Sequence, residues 1–119
     1  MNKKERPILK KLIKVGTSEL EYFQNITIRP IIKMQHDLLI LSLRTFLKKR
    51  KIIIEGLSEN QITQKIHAII YKDISYRNIC LGFIIGHFSS KEYIYYINHS
   101  SEIHKRIIKI IHKRFFDSL

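Results

Sequence analysis

Two arginines, Arg29 and Arg44, lie in the stretch from Ile26 to Phe46, where apolar and polar residues alternate on both sides of a turn signal. Alternation with a period of two predicts two β-strands, and the polar run at 35–37 predicts the turn of a hairpin between them. With a four-residue loop over 34–37, both guanidinium groups leave the same face of the hairpin. Such a pair would hold a carboxylate or phosphate through paired hydrogen bonds. The stretch therefore predicts an anion site.

This anion site depends on the register of the hairpin. A loop one residue shorter or longer moves the two arginines to opposite faces, because side chains alternate along a strand. Pro30 lies in the first strand, and since proline donates no ladder hydrogen bond, that strand would lie at a sheet edge or contain a bulge. The alternative interpretation is an ordinary hairpin with two solvated arginines, and the sequence leaves both open.

The net charge widens the choice of anion. The chain of 119 residues has 22 Lys and Arg against 10 Asp and Glu, a formal net charge of +12. Such a field attracts nucleic acid, the ribosome, acidic membrane surfaces and small dianionic metabolites alike. Isoleucine dominates the apolar residues, and isoleucine, lysine, asparagine, tyrosine and phenylalanine are encoded by AT-rich codons, so an AT-rich genome is indicated and part of the charge follows from composition. The length predicts a single domain over 1–119.

Residues for other chemistry are sparse. The six histidines form no metal-binding motif, no glycine-rich phosphate loop occurs and the acids are scattered, so the sequence predicts neither a metal nor a cofactor. Cys80 is the single cysteine, which excludes a disulfide framework and indicates a reducing compartment. The longest apolar run, over 79–86, is too short for a transmembrane segment.

Both helices and strands are expected to position these residues. A Ser-x-x-Gln capping box at Ser58 and a helical period of isoleucines predict a helix over 59–72. A Ser-x-x-Glu spacing at Ser18 predicts a short helix ending at Phe23, and apolar spacing predicts a helix over 7–15. Apolar and β-branched runs predict strands at 52–54, 76–88 and 93–97. With the hairpin, these elements predict an α+β fold, a small antiparallel sheet with two or three helices.

The C-terminal tail combines helical periodicity with positive charge. Apolar residues recur at helical spacing between Ile103 and Phe115, which predicts an amphipathic helix from about Glu102 to about Phe115. A basic helix of this kind would lie along a phosphate backbone or on an anionic membrane. Residues 59–79 would alternatively form a helix-turn-helix, although its second helix is too apolar for a recognition helix.

Six short segments between Asn25 and Leu119 form a characteristic order. In chain order they are Ile28-Arg29-Pro30-Ile31, Leu43-Arg44-Thr45, Ile54-Glu55-Gly56, Ile66-His67-Ala68-Ile69-Ile70-Tyr71, Phe88-Ser89-Ser90-Lys91-Glu92-Tyr93 and Phe115-Phe116. This order resembles that of the chorismate pyruvate-lyase-like family of bacteria, cyanobacteria and algal plastids. The family is built on an antiparallel sheet. The resemblance implies that the later part of the tail is a strand beside 93–97, whereas its periodicity predicts a helix.

By this resemblance the protein would remove pyruvate from chorismate, without a cofactor, and leave 4-hydroxybenzoate. Arg29 would bind the carboxylate of the small anionic aromatic ligand, Arg44 and Lys91 would support it, and Gly56 would allow close approach of the backbone. Resemblance and composition together imply the plastid stroma, or otherwise the cytoplasm. The alternative function is that of a basic nucleic-acid- or ribosome-binding protein, and the residues alone leave this choice and the enzymatic activity open.

Overall fold

The computed structural model describes Arg6 and residues 18–119. All regular elements among these residues are helices, and none is a β-strand. In chain order they are α1 (Glu19–Phe23), a π-helical segment (Gln24–Ile28), α2 (Arg29–Met34), α3 (His36–Lys49), α4 (Glu59–Lys72), α5 (Ile74–Ile85), α6 (Ser90–Ile97) and α7 (Ser100–Ser118). The predicted α+β fold with an antiparallel sheet is therefore wrong. The helix predicted over 7–15 lies outside the described residues.

The stretch predicted as a hairpin, over 26–46, is instead helical and runs from the π-helical segment through α2 into α3. Its buried aliphatic residues follow one another at intervals that fit a helical face, and they are Ile28, Ile31, Ile32, Leu39, Leu43 and Leu47. Leu41, which strand alternation grouped with its neighbours at 39 and 43, is 62% exposed. Because the stretch is so rich in isoleucine and leucine, short windows fit both the strand period of two residues and the helical period of 3.6. Only the helical period continues from 28 to 47.

Pro30 lies in the first turn of α2, directly after the π-helical segment. Proline has no N–H, and its ring would clash with the carbonyl oxygen four residues earlier, so α-helical hydrogen bonding is interrupted at this point. The wider π-helical turn takes its place, and the N–H of Arg29 donates to the carbonyl of Gln24, five residues back. The proline that suggested an edge strand thus marks an irregular turn inside a longer helical segment.

The three other predicted strands are also wrong. Ile53 is 75% exposed in the connection between α3 and α4, and the run at 76–88 lies mostly in α5. The run at 93–97 belongs to α6, whose first turn is closed by a reciprocal capping box between Ser89 and Glu92. β-Branched and aromatic residues are only weakly disfavoured in helices, so caps and tertiary packing outweigh their strand preference here.

Three predicted helices are confirmed. Ser18 accepts a hydrogen bond from the N–H of Glu21 at the start of α1, which ends at Phe23 as expected. In the capping box of α4, Ser58 Oγ accepts from the N–H of Gln61 at 3.2 Å, and Gln61 Oε1 accepts from the N–H of Ser58 at 2.9 Å. The tail is helix rather than strand, and α7 extends a few residues beyond the predicted ends.

The last helix, α7, forms the centre of the core. It packs against α3, α4, α5, α6 and the π-helical segment. Its buried side chains lie on one face, and they are Ile103, Ile107, Ile108, Ile111 and Phe115. Because this apolar face is held in the core, the charged residues of α7 point outward along the opposite face.

Candidate functional site

An open groove of about 870 Å³ lies between α7 and the segment that runs from the π-helix to the start of α3. Its lining contains six lysine and arginine residues, opposed by the carboxylates of Glu102 and Asp117. These cationic residues are Arg29, Lys105, Arg106, Lys109, Lys113 and Arg114. With its histidines neutral, the groove therefore carries four more positive than negative charges, and it is built to attract anions.

A stripe of lysines on α7 forms one side of the groove. Lys105, Lys109 and Lys113 are four residues apart, so they lie on one exposed face at intervals of about 6 Å along the helix axis. The half-buried Arg106 and Arg114 flank this stripe. The direction of the stripe is set by the core, because the isoleucines on the opposite face of α7 are buried.

Residues of the π-helical segment, α2 and α3 form the facing wall. Arg106 Nη1 donates to Gln24 Oε1 at 3.1 Å, and Arg114 Nη1 lies 3.1 Å from His36 Nδ1. Since a guanidinium group can only donate, His36 Nδ1 accepts in this contact. These two contacts join the walls of the groove and orient both arginines toward the facing wall.

The two carboxylates lie near the ends of the stripe. Glu102 Oε1 is 3.6 Å from Lys105 Nζ, and both side chains are mostly exposed, so Glu102 attracts this lysine only weakly. Asp117 lies near the end of α7. Between these acids, the charged residues through which α7 lines the groove are all cationic. The middle of the groove is thus the part best suited to negative groups.

His112 lines the groove without adding charge at neutral pH. Burial lowers the pKa of its imidazole, a hydrogen bond with the backbone of Thr63 acts in the opposite direction, and the neighbouring His67 lowers the pKa further. The net direction is downward, so the ring is a neutral aromatic group at pH 7.

One of the four predicted anion-binding residues lines this groove. Arg29 does so, at the start of α2. Arg44 is exposed on α3, Lys91 is exposed in the first turn of α6, and Gly56 lies in the connection before α4 with a φ of 80°. These last three residues do not line the groove, so the structure does not bring the four together.

Sequence reasoning missed that Arg29 and the cations of α7 face one another. The helical spacing of Lys105, Lys109 and Lys113 was a usable signal, since it indicates a continuous basic face. No local signal connected this face with Arg29, which is 76 residues before Lys105 in the chain.

Within the range 18–119 and Arg6, no three His, Cys, Asp or Glu side chains are grouped so that they could hold a metal ion. No helix in that range is both long and apolar enough to cross a membrane. Comparison of the chain with protein-family models, with curated proteins and with solved structures finds no match in any of the three.

Proposed function

We propose that the protein binds the sugar-phosphate backbone of nucleic acid in the groove beside α7. The observation that supports this is that six cationic side chains from α2 and α7 line one open groove, whereas only two carboxylates do. Lysine and arginine side chains that neutralise phosphates release condensed counterions, and this release drives association. Arginine also donates paired hydrogen bonds to phosphate oxygens.

The length of the groove favours a polyanion over a single small anion. The residues of α7 that line it run from Glu102 to Ser118, and 16 helical steps extend over about 24 Å. A lone carboxylate or phosphate would engage only one or two of the cations. A chain of phosphates would engage the whole stripe, including Lys105, Lys109 and Lys113.

The lining supports a small aromatic carboxylate less well. Pockets for such ligands are mostly apolar with a few polar groups, whereas Ile110 is the one aliphatic residue that lines this groove in the described part of the chain. The antiparallel sheet on which the resemblance to chorismate pyruvate-lyases depends does not form among residues 18–119. The lyase function stays a prediction, and 4-hydroxybenzoate serves as its test ligand.

An anionic membrane also fits the charge, but it fits the packing poorly. A helix that lies on a bilayer inserts its apolar face among the lipids. The apolar face of α7 is instead occupied by the core, and Ile103, Ile107 and Ile111 are 0% exposed. Vesicles of anionic lipid are therefore a competing probe in the experiment rather than a second proposal.

The experiment measures fluorescence anisotropy of labelled oligonucleotides over a series of salt concentrations. If a single strand engages all six cations, the logarithm of the association constant falls with the logarithm of salt concentration with a slope of about −4. The double variant Arg29→Ala/Lys109→Ala removes two of these cations and should reduce the slope to about −3.

The matched control is Arg44→Ala/Lys91→Ala, which also removes one arginine and one lysine, both exposed and both outside the groove. It should bind almost as the wild type does. Equal losses in the two double variants would mean that only the net charge matters. A slope near zero, tighter binding to anionic vesicles, or calorimetric heat with 4-hydroxybenzoate that depends on Arg29 would each contradict the proposal.

A further inference from the structure

Three aromatic rings meet beside the groove, where α4 packs against α7. His67 and Tyr71 lie one turn apart on α4 and stack with their ring centroids 4.4 Å apart and their planes 25° apart. His112 on α7, which lines the groove, meets them at steep angles with centroid distances of 6.0 and 5.9 Å. One ring therefore belongs both to the wall of the groove and to this aromatic cluster.

The two rings on α4 are not part of the hydrophobic core. Tyr71 is 37% exposed and His67 is exposed, whereas the core contacts of α4 are made by isoleucines. These isoleucines are Ile66, Ile69 and Ile70. An aromatic pair outside the hydrophobic core, held next to a cationic groove, offers a stacking surface to a planar ligand.

We propose, on the basis of the nucleic-acid binding proposed above, that the ligand is a single strand whose bases stack on Tyr71 and His67 while its phosphates lie along α7. In a strand the sugar joins each base to a phosphate, so a backbone in the groove brings bases to the surface beside His112. Every base has a flat π-surface, so stacking of this kind needs no particular sequence. A duplex offers its phosphates equally well, but its bases are already stacked on one another.

The experiment compares three fluorescent probes of about 12 nucleotides, a length within the range of known single-strand sites. One is a single strand, one is its duplex, and one is an abasic strand that keeps the phosphates and lacks the bases. The wild type should bind the single strand more tightly than the abasic strand. Ribose and deoxyribose versions are both measured, and such a preference in either series supports the inference.

The decisive variant is Tyr71→Ala. It should weaken binding of the single strand by about 5- to 150-fold, the range expected for loss of one base–aromatic stack, and it should leave the abasic strand and the duplex unchanged. Tyr71→Phe keeps the ring and should bind as the wild type does. Tyr93→Ala, at a 48% exposed tyrosine on α6, is the matched control and should change none of the three affinities.

Each of the following results would overturn this inference. Equal affinity of the wild type for single and abasic strands would show that bases do not contribute. An equal loss for all three probes in Tyr71→Ala would show a structural effect instead of stacking. If the duplex and the abasic strand bind with a steep salt dependence and the single strand binds no better, stacking fails and phosphate binding in the groove stands. If none of the probes binds, both proposals fail.

Discussion

The carboxylate of Glu92 links three parts of the fold, and replacing it with glutamine tests how strongly α6 is attached. Its Oε2 accepts hydrogen bonds from Arg6 Nη1 at 2.7 Å and from Thr27 Oγ1 at 3.0 Å. Its Oε1 accepts from Arg6 Nη2 at 3.2 Å and from the N–H of Ser89 at 2.8 Å. Glu92 thus joins Arg6, the π-helical segment and the first turn of α6.

Glu92→Gln preserves the size of the side chain but removes its charge and replaces one acceptor oxygen with a donor. Hydrogen bonds to a charged group contribute about 1.5–3 kcal/mol, whereas the cap of α6 can persist, because a glutamine oxygen can accept from the N–H of Ser89 as Gln61 does from Ser58 in α4. Because the side chain of Glu92 is 21% exposed, water compensates part of this loss. We expect the free energy of unfolding to fall by about 2 kcal/mol, and the Tm of a chain of this length to fall by about 8 °C.

The effect should depend on pH. Burial raises the pKa of Glu92, but the hydrogen bonds from Arg6, Ser89 and Thr27 and the charge of Arg6 outweigh it, so the pKa in the folded protein lies below the usual value for glutamate. A carboxyl whose pKa is lowered by folding stabilises the fold fully above its unfolded pKa of about 4.3 and loses that contribution as pH falls through the folded pKa. Urea unfolding at pH 7 should therefore separate wild type and variant, and the difference should shrink toward pH 3.

Glu102→Gln is the matched control, since Glu102 also lies in the first turn of a helix beside a cation. Its side chain is 55% exposed and 3.6 Å from Lys105 Nζ, so its loss should cost less than about 0.5 kcal/mol. The reasoning is refuted if Glu92→Gln costs no more than Glu102→Gln, or if the cost of Glu92→Gln is the same at pH 3 as at pH 7.

The remaining predictions concern the core. Ile107→Ala, at a side chain that is 0% exposed on α7, should lower the free energy of unfolding by about 2–5 kcal/mol, whereas Leu41→Ala, at a 62% exposed position, should change it by less than about 0.5 kcal/mol in the same urea titration. Similar costs for the two would contradict the burial pattern. Burial raises the pKa of the Cys80 thiol to about 11, so at pH 8 roughly one thiol in a thousand is ionised. A disulfide reagent should label Cys80 in urea but not in the native protein, and equal labelling rates would show that the thiol is accessible.

Some elements were predictable because their determinants are close together in the chain. In α1 and in α4, the capping serine and its partner are three residues apart, at Ser18 and Glu21 and at Ser58 and Gln61. The apolar period of α7 continues for several turns. The same Ser-x-x-Glu spacing occurs at Ser89 and Glu92 and would have predicted the start of α6. Its aromatic and β-branched residues suggested a strand instead. The preference of such residues for strands depends largely on the side chains that pack around them, and the local sequence does not specify those neighbours.

The hairpin error has a related cause. Between Ile26 and Phe46 apolar residues are so frequent that strand and helix periods both fit short windows. Tertiary packing decides between helix and strand, because the helical face from Ile28 to Leu47 is buried as one continuous surface. Two strands would have divided that surface between core and solvent, and no partner sheet exists in the described part of the chain.

The sequence by itself determined that α7 is an amphipathic helix with lysines in a stripe, since neighbours three and four residues apart share a face in any α-helix. Only the tertiary structure decided that this stripe faces Arg29 and that His112 lies beside His67 and Tyr71. These residues are far apart in the chain, and their meeting depends on which helical faces pack together. That choice is made by burial of the shared isoleucine-rich core, which no single segment encodes.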